Sequence, residues 1–338
     1  MKYSIIVPVY NRPDEVDELL ASLCMQTVND FEVIVVEDGS SVPCDEVVRR
    51  YASRLLIRYF VKPNSGPGQS RNYGAERSQG QYLIVLDSDV VLPRGYMAAV
   101  DEALTSDPLE AFGGPDAAHP GFTPIQKAIS YSMTSFFTTG GIRGGRKQLD
   151  KKFYPRSFNM GVEATLWRKL GGFADMRFGE DIDFSIRIYE SGARCRLIPQ
   201  AWVWHKRRTD LRKFFKQVHN SGIARINLMK RHPGSLKLVH LLPAVFTLGV
   251  VAMLTLTVAG LPWCVYSLWC LMPLALYCGL IFADSSIANR SVRVGLLSVP
   301  AAFVQLMGYG TGFIRAWFLR CVCGRNEELQ AFKENFYE

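Results

Sequence analysis

Short apolar runs alternate with helical repeats along the first ninety residues of the 338-residue chain. Residues 3–9 and 31–37 are β-branched runs that predict buried strands, and 56–61 and 82–86 continue the series. Between the first two runs, Pro13 precedes apolar residues at helical spacing. Strands that alternate with helices favour a mostly parallel sheet with right-handed crossovers, so the predicted fold class is α/β of a Rossmann-like type.

The apolar pattern changes in the second half of the chain. Residues 238–283 contain no Asp, Glu, Lys or Arg, and neither do residues 294–314. Because a bilayer core takes about 20 apolar residues per helix, the first run predicts a transmembrane hairpin of two spans, broken near Gly260. The second run predicts either a third transmembrane helix or an interfacial or re-entrant one, and residues 315–338 form the predicted tail.

The net charge of +8 is concentrated beside the first apolar run. Ten Lys or Arg and a single acid, Asp210, lie within 206–237, which we treat as a basic juxtamembrane segment. Cations next to a span favour the cytoplasmic face and anionic headgroups, so the charge does not indicate nucleic acid. Apolar residues at helical spacing in 211–229 predict an amphipathic helix lying flat at the membrane surface. We therefore expect a multi-pass protein of the cell (inner) membrane whose N-terminal domain is cytoplasmic.

Polar residues follow the predicted strands, at the edge where a parallel sheet binds its ligand. Asn11 follows the first strand, Asp38 the second, and Asp87 and Asp89 the strand at 82–86. Two carboxylates one residue apart at such an edge can hold Mn²⁺ or Mg²⁺, and the cation in turn neutralises a diphosphate. An isolated D-x-D segment is more often a solvated turn, but the strand before it and the other strand-end residues favour a metal site.

Glu180 and Asp181 form a second acidic site farther along the chain. A carboxylate beside a metal and diphosphate is suited to deprotonate a hydroxyl, although acids in these positions also suit the first turn of a helix. His205 is either a third metal ligand or a packed histidine. The turn Asp-Gly-Ser explains Asp38 as well as a nucleobase contact does. Arg71 follows a glycine-rich loop and either binds phosphate or base or lies at the surface.

Together these segments resemble the family 2 glycosyltransferases with a GT-A fold. The resemblance covers residues 3 to about 205, which we assign as a catalytic domain, residues 1–205. Glu37 is a conservative departure from the first acid of the family's second segment. The matching segments are Ile5-Ile-Val-Pro-Val-Tyr-Asn11, Val35-Val-Glu-Asp-Gly-Ser40, Gly80-Gln-Tyr-Leu-Ile-Val-Leu-Asp-Ser-Asp89 and Gly179-Glu-Asp-Ile-Asp-Phe184.

The resemblance implies inverting transfer of a sugar from a nucleoside diphosphate sugar, with UDP preferred. It implies Asp181 as the general base, supported by Glu180, and Mn²⁺ or Mg²⁺ on Asp87 and Asp89 with His205 as a third ligand. The implied nucleotide-sugar contacts are Pro8, Tyr10, Asn11, Asp38, Arg71 and Asp87. Processive members carry a Gln-x-x-Arg-Trp segment that is absent after Gln217, so we expect addition of a single sugar.

The C-terminal spans resemble those of bacterial enzymes of polysaccharide biosynthesis that build lipid-linked oligosaccharides. The implied acceptor is therefore membrane-associated and linked to polyprenyl diphosphate. Four arginines are candidate ligands for its anion, and simple anchoring to anionic lipid is an equal alternative for the basic segment: Arg143, Arg146, Arg207 and Arg208. Two other functions stay open, a polyprenyl-phosphate sugar transferase and a catalytically silent nucleotide-sugar-binding membrane protein.

Overall fold

The computed structural model describes residues 1–117, 119, 121–140, 153–206, 209–260 and 265–329. These residues form two compact units. The first contains the described residues up to 119 and those from 153 to 206, and the second contains residues 121–140 and the described residues from 209 to 329.

A seven-stranded sheet lies at the centre of the first unit. The strands of the described residues, in chain order, are β1 (Tyr3–Val9), β2 (Phe31–Asp38), β3 (Ile57–Lys62), β4 (Tyr82–Leu86), β5 (Val90–Val91), β6 (Ala111–Gly113), β7 (Asp116–Ala117), β8 (Asn159–Glu163), β9 (Cys195–Leu197) and β10 (Val203–His205). The large sheet has the order β3-β2-β1-β4-β8-β6-β9, and a small second sheet has the order β5-β10-β7.

The large sheet is mostly parallel, as the alternation of strands and helices predicts. β1 pairs in parallel with both β2 and β4, and β2 pairs in parallel with β3. β8 runs antiparallel between β4 and β6, which makes the sheet mixed. Along β1, Ile5 and Val7 belong to one buried apolar cluster and Ile6 to another. Because neighbouring side chains of a strand point to opposite faces, both faces of the sheet are covered.

The helices follow the predicted pattern in the first unit. Pro13 occupies the first turn of α1, and Asp14 and Glu15 complement the positive end of that helix. In chain order the helices are α1 (Pro13–Leu23), α2 (Asp45–Tyr51), α3 (Pro67–Glu76), α4 (Tyr96–Ser106), α5 (Pro124–Thr134), α6 (Phe136–Thr139), α7 (Ala164–Leu170), α8 (Glu180–Glu190), α9 (Leu211–Arg231), α10 (Leu242–Gly260), α11 (Met272–Asn289) and α12 (Val292–Trp317).

α12 is the centre of the second unit, and α5, α9, α10 and α11 all pack against it. The amphipathic helix predicted at 211–229 is present as α9. Its apolar face, however, is not open to lipid, because Phe214 and Val218 share a buried cluster with Ala301 of α12. A Cβ added to Gly308 would lie 2.5 Å from Cγ2 of Val218, so the glycine allows this close approach.

Three segments of the second unit are long and apolar enough to cross a membrane: Leu238–Gly260, Val265–Asn289 and Val292–Val322. The second segment extends past the predicted end of the hairpin at residue 283 and includes Asp284. This acid is accommodated because the hydroxyl of Tyr131 donates a 2.5 Å hydrogen bond to its Oδ2. The third segment is likewise longer than the predicted helix at 294–314.

Candidate active site

The small sheet brings His205 to the acids that follow β4. Asp87 and Asp89 lie between β4 and β5, and β5 begins at the next residue, Val90. β10 pairs antiparallel with β5, and His205 is the register partner of Val90. As a result, Nε2 of His205 lies 3.2 Å from Oδ1 of Asp89. The ring of His205 also stacks on Phe158, with 4.9 Å between centroids.

These three side chains have the geometry of a cation site. One ligand atom from each of Asp87, Asp89 and His205 lies within 4.8 Å of the other two. Two carboxylates and one imidazole nitrogen are a donor set that suits Mn²⁺ well and Mg²⁺ less well, because Mg²⁺ prefers oxygen alone. Arg12 contacts the same group, since its Nη1 donates a 3.1 Å hydrogen bond to Oδ2 of Asp89.

Arg71 joins these acids to the second acidic site. Its Nη2 donates to Oδ1 of Asp87 at 2.6 Å, and its Nη1 donates to Oε1 of Glu180 at 3.1 Å. The side chain of Arg71 is only 4% exposed. Because one buried guanidinium contacts both carboxylates, the acids after β4 and those at the start of α8 belong to a single site.

The local sequence explains how α3 delivers Arg71 to this position. The helix begins at Pro67, after Gly66, whose φ of +89° suits glycine. One residue later, a Cβ added to Gly68 would lie 3.3 Å from Cγ of Glu180. The glycine at 68 therefore lets the start of α3 approach α8 closely enough for the ion pair.

Glu180 and Asp181 are both buried in the first turn of α8. Nε of Arg156 donates to Oδ2 of Asp181 at 2.6 Å, and the backbone N–H of Ile182 donates to its Oδ1 at 2.8 Å. Burial opposes ionisation of Asp181, but the charge and hydrogen bond of Arg156 outweigh it and lower the pKa. Burial, together with the charge of Asp181, raises the pKa of Glu180 to about 7.

The raised pKa of Glu180 predicts a pH dependence of stability. In the folded protein its carboxyl holds a proton up to about pH 7, whereas in the unfolded chain it ionises near its ordinary pKa of 4.5. The folded state therefore binds more protons between these values, and this group's contribution to the free energy of unfolding falls as the pH rises through that window. Glu180→Gln removes this contribution.

The measurement is the melting temperature of the detergent-solubilised protein and of Glu180→Gln, each below and above this window. At about 2–4 °C for each kcal/mol, the native protein should lose several degrees more than the variant on going to the higher pH. An identical change in the two proteins would contradict the raised pKa.

Asp38 and Asn11 both hold loops at the edge of the sheet. Asp38 is fully buried, accepts hydrogen bonds from the backbone N–H groups of Ser65 and Gly66, each at 2.9 Å, and pairs with Lys62. Oδ1 of Asn11 accepts a 2.9 Å hydrogen bond from the backbone of Val42. Both acceptors thus have partners within the protein, and their contact with a nucleotide stays a prediction.

The remaining predicted residues divide into two groups. Pro8 is buried within β1 opposite Val36, and Tyr10 is half-buried just after that strand. The four candidate ligands for the acceptor's anion lie outside the described residues: Arg143, Arg146, Arg207 and Arg208.

Two arginines of the site have no role assigned to them from the sequence. Arg12, which contacts Asp89, directly follows the strand-end segment and was identifiable from that position. Arg156, which contacts Asp181, lies in an irregular segment before β8, and no pattern in the sequence marks it. Each of these arginines places a positive charge against an acid to which we assign a chemical role.

A Rossmann-like mixed sheet with a D-x-D segment after β4, joined through Arg71 to the acids of α8, defines a glycosyltransferase domain of the GT-A class. Residues 4–170 match the family described as glycosyl transferase family 2, and this part of the chain belongs to that family. The match confirms the resemblance seen in the sequence, and the mostly parallel mixed sheet confirms the predicted fold class.

Known proteins with similar sequences are also named as glycosyltransferases. The chain is 42% identical over 88 residues to an uncharacterized glycosyltransferase of Rickettsia bellii, which covers 26% of this chain and 13% of that protein. It is 29% identical over 236 residues to the pre-mycofactocin glycosyltransferase of Mycobacterium tuberculosis, which covers 68% of this chain and 48% of that protein. The chain thus spans less than half the length of these curated relatives.

A solved structure has the same fold over most of the chain. The mannosyltransferase PcManGT from Pyrobaculum calidifontis superposes with a TM-score of 0.64 and 17% sequence identity, covering 93% of this chain and 87% of that one. At this identity the likeness establishes the fold alone.

Proposed function

We propose that the chain is an inverting glycosyltransferase that moves one sugar from a nucleoside diphosphate sugar, with UDP preferred, to a hydroxyl of a membrane-associated acceptor. The observation that carries this proposal is the pair of contacts made by Arg71, with Asp87 on one side and Glu180 on the other. Single-displacement transfer needs charge stabilisation at the departing diphosphate and a base at the acceptor, close to each other. Arg71 connects the acids proposed to act at the diphosphate with those proposed to act at the acceptor, so both requirements can be met in one site.

The acids after β4 are proposed to bind the donor, through a cation held at its diphosphate. Asp87, Asp89 and His205 would hold Mn²⁺ or Mg²⁺, which when bound supplies charge neutralisation at the diphosphate. Arg12 and Arg71 add two fixed positive charges beside these acids. PcManGT, which shares the fold, is described in complex with GDP-Man and Mn²⁺, and this supports the choice of ligand class.

Asp181 is the proposed general base for the hydroxyl of the acceptor. Its lowered pKa keeps the carboxylate ionised at neutral pH, so it is ready to accept a proton. Arg156 and the N–H of Ile182 fix both carboxylate oxygens, which limits the directions from which a hydroxyl can approach. A base with a lowered pKa is weak, so the proton should move as the acceptor oxygen bonds to the sugar rather than before.

The acceptor itself is proposed to be a glycan on polyprenyl diphosphate in the inner membrane. The three apolar segments of the second unit support a membrane location, and the basic segment at 206–237 supports a cytoplasmic catalytic domain. Arg143, Arg146, Arg207 and Arg208 are the proposed contacts of the diphosphate anion.

A thermal-shift screen of UDP-, GDP- and dTDP-sugars with and without Mn²⁺ tests the donor assignment. At a concentration about 100 times the Kd, a ligand that binds only the folded state stabilises it by about 2.7 kcal/mol, which raises the melting temperature by about 5–10 °C. We expect this shift with a UDP-sugar and Mn²⁺ together, and a much smaller one with either alone.

The screen separates the parts of the proposal. A shift with GDP-sugar instead would retain the transferase and overturn the preference for uridine. The absence of a shift with every nucleotide sugar, with or without the metal, would overturn the transferase assignment.

A further inference from the structure

The first two apolar segments form a hairpin whose two arms run in opposite directions. Near the connection between the two arms, the Ser267 hydroxyl donates a 3.3 Å hydrogen bond to the carbonyl of Thr257. Closer to its start, the rings of Phe246 and Tyr277 lie 5.4 Å apart. We call the part of this hairpin formed by residues 242–247 of α10 and 277–289 of α11 the hairpin base.

The N-terminal end of α12 contacts the hairpin base on α11. A Cβ added to Gly295 would lie 2.8 Å from the carbonyl oxygen of Phe282, so the two backbones touch. One turn later, the hydroxyls of Ser298 and Ser285 are 2.6 Å apart. The N-terminal end of α12 therefore lies beside the last turns of α11, within the hairpin base.

The far end of α12 contacts the same hairpin base on α10. A Cβ added to Gly310 would lie 2.4 Å from the carbonyl oxygen of Pro243. Farther on, Ala316 shares a buried cluster with Ala244. Between the two ends, Phe303 lies 5.6 Å from Phe246, which is also in the hairpin base.

The contacts with α10 do not advance along that helix, because Phe303, Gly310 and Ala316 all meet residues 243–246, and this is not expected if the whole of α12 ran alongside the hairpin. Gly295 and Ala316 are about 31 Å apart along a helix, close to the thickness of a bilayer core. A helix crossing the membrane would carry its far end to the opposite side, away from the hairpin base. Instead both ends lie at the base, so α12 runs across it.

The outer half of the hairpin supports the same geometry. Around one stretch of α10, Val251, Leu254 and Leu256 are 51%, 46% and 61% exposed. These residues point in different directions around the helix, since each residue turns it by about 100°. A third crossing helix would cover one of these sides, and lipid alone leaves all of them open.

The charges on α9 give an independent argument. α9 runs parallel to α12, from the contact of Val218 with Gly308 to the hydrogen bond between Asn227 and Arg320, 2.8 Å long. It carries six Lys or Arg and no acid. If α12 crossed the bilayer, α9 would be carried into it, and each of its cations near the centre of the bilayer would be costly to bury in lipid.

We infer that α12 does not cross the membrane but lies in the headgroup region, across the hairpin base and packed with α5 and α9. Among the described residues, no helix before Leu238 is long and apolar enough to span a membrane, so the inference places α12 on the side from which the chain enters the hairpin. Trp317 and Phe318 are exposed beside Arg315, a combination typical of residues at the membrane interface. The partner of this surface is the lipid headgroup layer.

The test is labelling of the full chain in sealed vesicles of either orientation with a membrane-impermeant maleimide. Three variants each contain a single cysteine, with all others replaced. The first has Met25→Cys, at an exposed position of the N-terminal unit. The second retains native Cys264, which lies between the hairpin arms in the sequence, and the third retains native Cys321, just after α12. We expect Met25→Cys and Cys321 to react from one side only and Cys264 from the other side only.

Each alternative result overturns the inference. If Cys321 reacts from the same side as Cys264, α12 crosses the membrane. If Cys264 reacts from the same side as Met25→Cys, the hairpin does not cross the membrane. If Cys321 is shielded on both sides, the exposed position Glu327→Cys takes its place and is judged by the same rule. The result is independent of catalysis.

Discussion

Replacing Asp181 by asparagine should abolish sugar transfer while the first unit stays folded. Asparagine has nearly the shape of aspartate and still accepts a hydrogen bond from the N–H of Ile182, but it has no charge to accept a proton. General base catalysis contributes roughly 10²–10⁴-fold, and the rate should fall by that factor. The measurement is release of nucleoside diphosphate in the presence of the lipid-linked acceptor.

The control for this variant is Asp107→Asn. Asp107 is an exposed acid that pairs with Arg196 at 2.7 Å, outside the candidate active site. It should transfer sugar at the native rate. Full activity in Asp181→Asn, with nucleotide binding unchanged, would indicate a polyprenyl-phosphate acceptor instead, because a phosphate oxygen needs little deprotonation.

Replacing Asp89 by asparagine should remove the metal dependence of nucleotide binding. Asp89 is approached by both His205 and Arg12, so its carboxylate is the one shared by the candidate cation site and the neighbouring guanidinium. Changes to residues that only orient a metal ligand already cost 10–100-fold in metal affinity, and loss of a ligand should cost roughly 100-fold or more. Isothermal titration of the nucleotide with and without Mn²⁺ measures this loss.

Two further variants show whether the effect belongs to the metal. His205→Gln keeps both carboxylates and should weaken binding less than Asp89→Asn. Asp101→Asn removes an acid that pairs with Lys2 at 2.6 Å and should leave binding unchanged. If the native protein binds the nucleotide equally well in EDTA, the proposed role of Asp89 is wrong.

The parts of the fold that depend on local patterns were predictable from the sequence. The strands β1, β2 and β4 and the acids after β4 follow from apolar runs with polar ends, because a buried strand needs such a run. The antiparallel insertion of β8 was not predictable in the same way. Its direction is set by the pairing of its partners β4 and β6, which are distant in the sequence.

The site shows the same division. The residue types at 87, 89, 180 and 181 suggest their chemistry, but the positions of their cationic partners depend on tertiary packing. Arg156 reaches Asp181 across 25 positions of the sequence, and Arg71 reaches Glu180 across 109. Apolar composition likewise suggests that α12 can cross a membrane, whereas its contacts with both arms of the hairpin and with the basic helix α9 indicate otherwise.

The arginines of the candidate active site nearly cancel its acids. Four carboxylates, those of Asp87, Asp89, Glu180 and Asp181, are contacted by three guanidinium groups. With Glu180 protonated, the group is electrically neutral apart from any charge on His205. Such a site exerts little attraction on ions at long range, so selection between anions has to occur by direct contact after they arrive.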